Sequence, residues 1–577
     1  MPRSKILKSV VLFSLGVILV RLFFIQIIEH DSWVAKADEQ HTLLETITAR
    51  RGEIYMMDKG EPTAVVLNQT TYQIVIDPTV TKKEDAEEVL KTYAKDYQTV
   101  DLDKIYDTEG LRYSVIAKNV PREIATKIAD SDIPAIWLKK TNQRVYPEGE
   151  MASGLLGFVN AEGKGQYGVE GSLNTLLAGK DGLLKTTADI NKVALSIGND
   201  NIKIPAEDGK NIVLSVDRGL ERGIEELASQ AIEKTVATNA AVLVMDPNTS
   251  EVIAMANLPN YDPSNYASVE DASRYINYTI DVPYEPASIC KTFTYSAAIN
   301  EGVMTPETTY FNKHVEYVDG WPIENAEKRA ILYGNINMKT ALYWSLNTGS
   351  IYALKLLGGD SMTINQQGRE KLYDYYYNKF HLGQITGIEL YEAEGFIPDP
   401  NEGWGRDSTY ANMTFGQNLG ITMLQTATAF SAVVNGGTYR TPSIVKGVME
   451  NNELVEKSFI DYKEETILSE ETSATMRELL INNRDYLVRS GVDRYGYDIG
   501  GKSGTAQVVK DGVYDDTFAE LIGSYMGFVG PKGELPKYVI MVKMWGEGQS
   551  VGSSDAMNLF GAVSNYLIDY LKIKPKE

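Results

Sequence analysis

Cysteine and histidine are scarce in this chain of 577 residues, and each shortage removes a class of chemistry. Cys290 is the only cysteine, so intrachain disulfides and cysteine-based zinc or iron–sulfur clusters are excluded. The four histidines are scattered, and none stands at the spacing of a metal-ligand pair, so we expect no metal site. The chain also offers few histidines for a hydrolase built on a Ser-His-Asp triad. If a serine is the nucleophile, its base must come from another residue type.

Positive charge is also in short supply, because 56 lysines and arginines face 78 aspartates and glutamates, for a formal net charge of −22. A nucleic-acid partner needs a basic face that neutralises phosphates, so we expect no nucleic-acid binding. Disorder of the whole chain is excluded, since 43% of the residues are apolar and 23% are charged. The length predicts several domains, each able to bury its own core.

One long apolar run lies near the amino terminus, at residues 9–28, interrupted mainly by Arg21 and Gln26. At about 1.5 Å per residue, a helix of this length crosses about 30 Å of hydrocarbon. Basic residues precede the run and acidic residues follow it, so we expect the amino terminus in the cytoplasm and the body of the chain outside. We expect an uncleaved, single-pass anchor. A cleaved signal peptide is the alternative, because residues 35–37 (AKA) have the small-x-small form, although residue 37 lies nine positions beyond residue 28.

The rest of the chain alternates strand-like and helix-like patterns, which predicts an α+β fold. Residues 71–77 read as a strand and residues 84–97 have a helical period, while a polar linker at residues 198–210 marks a domain boundary. Beyond the linker, a helical region is interposed between antiparallel strands. The pattern there predicts helices at residues 220–232 and 557–571, and strands at residues 211–216, 240–246, 251–257, 523–529 and 538–545.

A serine followed three residues later by a lysine can supply a nucleophile and its base, provided that both lie on a helix, where residues i and i+3 share a face. Ser443 and Lys446 read as a strand or loop, where this spacing separates the side chains. Ser288 and Lys291 lie in a predicted helix that we expect to begin at Pro286. In its first turn, free N–H groups and the helix dipole favour a developing oxyanion. Taken alone, the pattern also fits an ordinary helix with a polar first turn.

Two further motifs follow along the chain. Ser345 and Asn347 flank Leu346 where one helical run ends and another begins, so a hydroxyl and an amide can face a cleft. Residues 502–505 (KSGT) lead into a strand whose glycine lets another backbone approach closely. Together the three motifs resemble the S-x-x-K, S-D-N and K-T-G set of penicillin-recognising enzymes. Leu346 and Ser503 stand in place of the aspartate and threonine of that set.

Over nearly its whole length the chain resembles the class B penicillin-binding proteins, which are monofunctional peptidoglycan D,D-transpeptidases of the bacterial envelope. The resemblance is carried by the segments RLF, RGEI, GVE, YEPAS, FGQ and KSGTA, at residues 21–23, 51–54, 168–170, 284–288, 415–417 and 502–506. Three positions depart from the family pattern. Ala287 replaces a glycine, MDKG at residues 57–60 replaces D-R-N-G, and the arginine usual after Asn277 is missing. We expect the methyl group of Ala287, in a helix turn, to be tolerated.

The resemblance implies three parts. These are a cytoplasmic tip and transmembrane anchor (1–30), an elongated, non-catalytic mixed α/β pedestal of the dimerisation type (31–205), and a penicillin-binding/β-lactamase-like transpeptidase domain (206–577). The last is an antiparallel sheet with a helical subdomain. The implied location is the bacterial plasma membrane, with the catalytic domain outside. No cofactor is implied, because the peptide bond that is broken supplies the energy.

The resemblance also implies binding partners. Peptidoglycan stem peptides would be the substrates and β-lactams the inhibitors. A polytopic glycosyltransferase and other membrane proteins of the division or elongation complexes would dock on the anchor and pedestal, with Arg21 inside the span as a candidate contact.

Roles for the first two motifs follow from the same resemblance. Ser288 would be the acylated nucleophile that attacks the penultimate D-alanine carbonyl, and Lys291 would be its neutral general base. Ser345 would relay a proton to the leaving D-alanine. Asn347 would hold the peptide carbonyl of the substrate, or Lys291.

The third motif would bind the terminal carboxylate of the substrate. Lys502 would supply positive potential and lower the pKa of its neighbours, while the hydroxyl groups of Ser503 and Thr505 would donate hydrogen bonds. Gly504 belongs to the same substrate-binding strand. The N–H groups of Ser288 and Thr505 would form the oxyanion hole.

Other functions share these motifs. A β-lactamase or β-lactam sensor would carry all three, but class A β-lactamases add an E-x-x-L-N loop after the second motif. The nearest match, ELLIN at residues 478–482, lies in a predicted helix. A D,D-carboxypeptidase, which transfers the acyl group to water, differs by one step and stays open. A noncatalytic divisome scaffold is the rival of a different class, and the intact Ser288 and Lys291 argue against it. The choice between division and elongation stays open too.

Overall fold

The computed structural model describes residues 3–33, 42–131, 133, 135–187, 202–486, 494–510, 513–514 and 519–576. It divides into two compact units, Met1–Gly52 with Ala178–Lys210, and Glu53–Leu177 with Asn211–Glu577. The first four residues of the predicted linker and the AKA segment at residues 35–37 lie outside the described residues.

The first unit contains the apolar amino-terminal segment. A helix runs over Arg3–Phe23 and continues as a π-helical turn over Phe24–Ile28, with its side chains mostly exposed. By length and composition, Ser4–Ile28 is sufficient to cross a membrane, which fits the predicted membrane anchor. The same unit holds a three-stranded antiparallel sheet of Thr42–Ile47, Gly182–Thr187 and Ile202–Ile204. Gly52 allows a close backbone approach, because a Cβ there would lie 1.9 Å from the carbonyl oxygen of Lys210.

A mixed seven-stranded sheet lies in the second unit. Its strands follow the order Glu453–Glu456, Val445–Glu450, Asn211–Asp217, Ile54–Asp58, Glu61–Ile76 and Ser114–Val120, and Ile136–Val145 also pairs with Glu61–Ile76. The strand predicted at residues 71–77 is confirmed as the end of the 16-residue strand Glu61–Ile76. The helical period at residues 84–97 is confirmed as an α-helix, a π-turn and a 3₁₀ turn, over Lys83–Val89, Leu90–Ala94 and Lys95–Tyr97.

Short helices pack beside this sheet. Ile74 and Ile76 on the long strand form a core with apolar side chains of these helices, among them Val89 and Ile128. The alternation of apolar residues along the strand explains which of its faces is covered. The remaining elements of this part are the helices Leu102–Tyr106, Arg122–Ala129, Ser153–Leu156, Gly168–Ser172 and Asn174–Ala178, and the strands Phe158–Val159 and Gly165–Gln166.

A five-stranded antiparallel sheet forms the centre of the carboxy-terminal part. Its strands follow the order Val252–Leu258, Asn239–Met245, Tyr538–Trp545, Leu521–Pro531 and Tyr497–Gln507. Even-numbered residues of the second strand, such as Val242, pack against the helices Arg218–Glu233 and Ser553–Tyr570. Odd-numbered residues, such as Leu243, pack into the helical layer on the opposite face. The strands and both flanking helices predicted from periodicity are confirmed, and so is the α+β class.

The helical layer is inserted between the second and third of these strands in chain order. Its α-helices are Lys291–Asn300, Met338–Tyr343, Asn347–Leu357, Gln366–Tyr373, Asp407–Met413, Met423–Val434 and Glu470–Tyr486, with a π-turn at Asp374–Lys379. Short 3₁₀ turns lie at Pro263–Ser268, Ala272–Tyr275, Ala287–Cys290 and Ala330–Leu332. Small two-stranded pairs complete it: Thr309–Asn312 with Gly334–Asn337, Val315–Val318 with Trp321–Glu324, and Thr438–Arg440 with Glu464–Thr466. A further pair, Val509–Lys510 with Val513–Tyr514, follows the strand Tyr497–Gln507.

Candidate active site

A cleft of about 1030 Å³ is lined by residues of both the helical layer and the edge strand of the five-stranded sheet. It brings together members of all three motifs that the sequence singles out: Ser288, Ser345, Asn347, Ser503 and Thr505. The volume is at the upper end of the range for small-ligand sites. The cleft is therefore the candidate active site of the chain.

Ser288 lies in the 3₁₀ turn Ala287–Cys290, which leads directly into the helix Lys291–Asn300. The expectation of one helix beginning at Pro286 is wrong, because Ala287 has a φ of +51° and interrupts the α-helical path. Ala287 therefore does not lie in an ordinary helix turn but in a conformation that glycine adopts more readily. Residues i and i+3 eclipse in a 3₁₀ turn, and the Oγ of Ser288 lies 2.9 Å from the Nζ of Lys291.

Lys291 is buried, with 1% of its surface exposed. Its Nζ donates to Asn347 Oδ1 at 2.9 Å and lies 2.5 Å from the carbonyl oxygen and 3.1 Å from the hydroxyl oxygen of Ser345. Burial lowers the pKa of Lys291 well below its ordinary value, and the positive charge of Lys502 lowers it further. The amine therefore loses its proton more readily than an ordinary lysine and can serve as a base toward Ser288.

The second motif lies between the helices Met338–Tyr343 and Asn347–Leu357, as the sequence predicts. Ser345 has a φ of +53°, so the chain turns sharply and its carbonyl and hydroxyl oxygens both face Lys291. Leu346 is fully buried, which explains why an apolar residue stands there. Tyr343 and Trp344 both pack against the helical core, and Trp344 also lines the cleft.

The third motif lies on Tyr497–Gln507, the terminal strand of its sheet among the described residues. Ser503 and Thr505 line the cleft, in keeping with the two-residue period of a strand. Lys502 is 1% exposed, and burial lowers its pKa to about 7, so its positive charge is only partial at neutral pH. Gly504 packs against the nucleophile segment, because a Cβ there would lie 2.5 Å from the carbonyl oxygen of Pro286.

The segment that begins at Phe415 supports the nucleophile. Ala287 donates its N–H to the carbonyl oxygen of Gly416 at 3.2 Å, and Gly416 has a φ of +82°. A Cβ at Gly416 would lie 2.1 Å from the carbonyl oxygen of Ala287, so glycine is required. The ring of Phe415 lies 5.9 Å from the Nζ of Lys291, and Gln417 lines the cleft.

Sequence reasoning missed the contribution of the strand Trp321–Glu324 and the residue after it. Asn347 donates through Nδ2 to the carbonyl oxygen of Glu324 at 2.8 Å. Asn325 is 1% exposed and accepts a hydrogen bond from the N–H of Thr348 at 3.0 Å. These contacts fix the start of the Asn347 helix, and no periodic pattern around Asn325 signals them.

Ser443 and Lys446, the second Ser-x-x-Lys set, contact other residues and not each other, as the predicted strand or loop implies. Lys446 lies on the strand Val445–Glu450, and Ser443 lies just before it. Ser443 donates to Glu389 Oε1 at 2.7 Å, and Lys446 Nζ donates to Glu251 Oε1 at 3.2 Å. Cys290 is fully buried, and burial raises the pKa of its thiol, so it is a packing residue.

Two family profiles match the chain. The penicillin binding protein transpeptidase domain matches residues 240–565, which is more than half of the chain. The penicillin-binding protein dimerisation domain matches residues 46–214.

Individual proteins match as well. The chain is 28% identical over 498 residues to penicillin-binding protein PbpB of Mycolicibacterium smegmatis, which covers 82% of the chain and 71% of the relative. It is 26% identical over 586 residues to peptidoglycan D,D-transpeptidase FtsI of Escherichia coli, covering 99% of the chain and 92% of the relative. The crystal structure of penicillin binding protein 2X from Streptococcus thermophilus superposes with a TM-score of 0.72 at 23% identity, covering 92% of the chain and 80% of that structure.

Proposed function

The chain belongs to the class B penicillin-binding proteins, and we propose that it is a serine-type peptidoglycan D,D-transpeptidase whose nucleophile is Ser288. The observation that carries the assignment is the buried Lys291 amine, 2.9 Å from the Ser288 hydroxyl oxygen. A base of lowered pKa within hydrogen-bonding distance is what a serine needs to become a nucleophile.

In the first half-reaction, the Oγ of Ser288 attacks the carbonyl carbon of the penultimate D-alanine, and Lys291 takes the hydroxyl proton. The peptide bond between the two D-alanines then breaks. The proton passes through the Ser345 hydroxyl, 3.1 Å from Lys291 Nζ, to the amine of the leaving D-alanine. The product is an ester between Ser288 and the shortened stem peptide.

In the second half-reaction, an amine of a neighbouring stem peptide attacks this ester. A new amide bond forms as the ester bond breaks, and Ser288 recovers its proton through Lys291. The result is a crosslink between two strands. Transfer to water instead would make the chain a carboxypeptidase, and the ratio of the two products measures which reaction prevails.

The third motif receives the terminal carboxylate of the stem peptide. Lys502 gains its proton when an anion binds beside it, because an opposite charge raises a lysine pKa from the low value that burial imposes. Ser503 and Thr505 donate hydroxyl hydrogen bonds to the same carboxylate. The N–H groups of Ser288 and Thr505 stabilise the tetrahedral oxyanion.

The test is mass spectrometry of the intact protein and its peptides after exposure to benzylpenicillin. We expect one stable adduct on Ser288, and none in the Ser288→Ala variant. The matched control is Ser443→Ala, which removes the serine of the other Ser-x-x-Lys set and should label at the parental rate. An adduct that persists in folded Ser288→Ala protein would sink the assignment, and rapid release of the adduct would indicate a β-lactamase.

We also propose the division into an anchor (1–30), a pedestal (31–205) and a catalytic domain (206–577), with the amino terminus in the cytoplasm. The apolar helix Ser4–Ile28 supports the anchor. Protease added to spheroplasts should then digest the body of the chain and spare the amino-terminal tip. Protection of the body would contradict this topology.

The proposed partner is a polytopic glycan polymerase that contacts the membrane span, where Arg21 is a polar residue in an apolar helix. Replacing the span with an unrelated one should reduce co-purification. Undiminished co-purification would count against a contact through the span.

A further inference from the structure

Three of the six tryptophans of the chain line the same cleft as Ser288. Trp321 and Trp404 are each 69% exposed, and neither ring contacts another aromatic ring or a cation among the described residues. Trp344 differs, because the guanidinium of Arg329 lies 4.7 Å from its ring centre and covers it. The rings of Trp321 and Trp404 are thus exposed at the lining of the cleft.

Open indole faces at the mouth of a cleft indicate a ligand. An indole ring gains more from burial than most side chains do, so two of them left in solvent beside a site are typical of a binding surface. The wall around them is polar rather than apolar, since Glu327, Lys328 and Arg406 line the same cleft. A ligand with flat apolar faces and a hydrogen-bonding rim fits such a wall.

The position of Trp321 relative to the reacting atoms follows from the strand that carries it. Asn347, which donates to the carbonyl oxygen of Glu324 at 2.8 Å, also contacts the Lys291 amine. Trp321 is three residues before Glu324 on the strand Trp321–Glu324, and a strand rises about 3.3 Å per residue. The backbone of Trp321 is therefore about 10 Å along the strand from that of Glu324, whose carbonyl oxygen contacts Asn347.

The substrate of the proposed function has a matching length. In a stem peptide, three residues separate the penultimate D-alanine from the lactyl group of the sugar, so the two groups are four residue steps, or about 13–14 Å, apart when the peptide is extended. This span exceeds the length of the strand Trp321–Glu324, so a stem peptide that runs from Ser288 along the strand brings its sugar level with Trp321. Sugar rings have flat apolar faces and a rim of hydroxyl and amide groups.

We propose that Trp321 and Trp404 form a subsite for the sugar rings of the glycan strand that bears the stem peptide. This inference rests on the proposed function for the identity of the ligand. The rings stack on the indole faces, and the polar wall donates and accepts hydrogen bonds at their rims. The subsite selects glycan-linked stem peptides over free ones.

The test measures binding of peptide-free glycan strands of alternating N-acetylglucosamine and N-acetylmuramic acid to the full chain in detergent. The protein carries Ser288→Ala, so binding is read without any chemistry, and failure of the transpeptidase assignment would leave the readout intact. We expect Trp321→Ala and Trp404→Ala each to weaken glycan binding about tenfold. The matched control is Trp137→Ala, which removes a tryptophan that is 49% exposed and outside the cleft lining.

Conservative variants separate stacking from a merely structural effect. Trp321→Tyr and Trp404→Tyr keep an aromatic face and should retain binding within about threefold of the parent. Equal binding by the parent and the double alanine variant would overturn the proposal. So would a loss as large with tyrosine as with alanine, or a loss of a protein partner while glycan binding stays intact, which would make this wall a protein-docking surface.

Discussion

The buried ion pair between Arg144 and Glu170 gives a sharp test of how the amino-terminal part of the second unit is held together. Arg144 Nε donates to Glu170 Oε1 at 2.6 Å, with 7% and 0% of the two side chains exposed. Arg144 also donates through Nη1 to Asn68 Oδ1 at 2.8 Å, across the paired strands Ile136–Val145 and Glu61–Ile76. The pair therefore joins the sheet to the short helix Gly168–Ser172.

The size of the effect follows from desolvation. Removing one partner of a buried ion pair costs about 3–5 kcal/mol, because the remaining charge loses an attraction that offset its desolvation. Replacing both with apolar residues of similar volume removes both desolvation penalties and is close to neutral. We therefore expect Arg144→Met and Glu170→Leu each to be strongly destabilising, and the double variant to be less destabilised than either single one.

The assay is hydrogen exchange of the full chain, read on peptides from the two paired strands. Exchange resolves local opening, whereas a chain of several domains does not unfold in one two-state step. Since 1.4 kcal/mol is a factor of ten, either single change should speed exchange there by roughly a hundredfold or more. The control is Lys180→Ala, because the Lys180–Glu207 pair is exposed and its loss should leave exchange in these strands unchanged. Additive single effects in the double variant would refute the reasoning.

Three further outcomes are expected. Gly416→Ala should slow acylation by benzylpenicillin at least tenfold, because a Cβ there would lie 2.1 Å from a main-chain oxygen beside the nucleophile. The control is Gly420→Ala, where the nearest atom to the new Cβ would be 3.6 Å away and the acylation rate should not change. Equal acylation rates for the two variants would contradict this. The acylation rate of the parent should rise with pH as Lys291 loses its proton, and it should level off well below 10.5, the ordinary pKa of a lysine. A rate that still rises at pH 10.5 would exclude Lys291 as a base of lowered pKa. Burial raises the pKa of Glu221, so its contribution to stability is complete below the ordinary glutamate value and is lost as the pH rises through the raised one. Glu221→Gln should therefore slow hydrogen exchange in the helix Arg218–Glu233 at about pH 9 relative to the parent at the same pH and change it little at about pH 4. The reverse order would be inconsistent with a buried neutral carboxyl.

Sequence reasoning could reach the contact of Ser288 with Lys291, because residues three apart share a face in both the α- and the 3₁₀-helix. It could not predict the backbone conformation of Ala287, which directly precedes Ser288. The left-handed φ of Ala287 depends on the close approach of Gly416, which is more than a hundred residues away in the chain. Local patterns specify which face of an element a residue occupies, whereas a backbone strained by a distant segment has no local signal.

The helix Arg218–Glu233 shows the same limit in another way. Its apolar period correctly predicts the burial of Leu220 and Ile224. Glu221 and Glu225 are also buried, because the N–H groups of Met255 and Ala152 donate to their carboxyl groups. Those donors belong to elements that follow and precede the helix in the chain, so periodicity alone predicts exposed carboxylates there.

The surroundings of Lys291 favour a base that changes its protonation state during the reaction. Four oxygen atoms lie within hydrogen-bonding distance of its Nζ, on Ser288, Ser345 and Asn347. An ammonium group has three donors and can donate to three of these oxygens, whereas a neutral amine has two donors and a lone pair and can accept from the Ser288 hydroxyl while donating to two of the others. The same oxygens therefore serve both states without rearrangement. In the proposed reaction, protonated Lys291 donates to the Ser345 carbonyl and to Asn347, and the Ser345 hydroxyl is the group that carries the proton to the leaving amine.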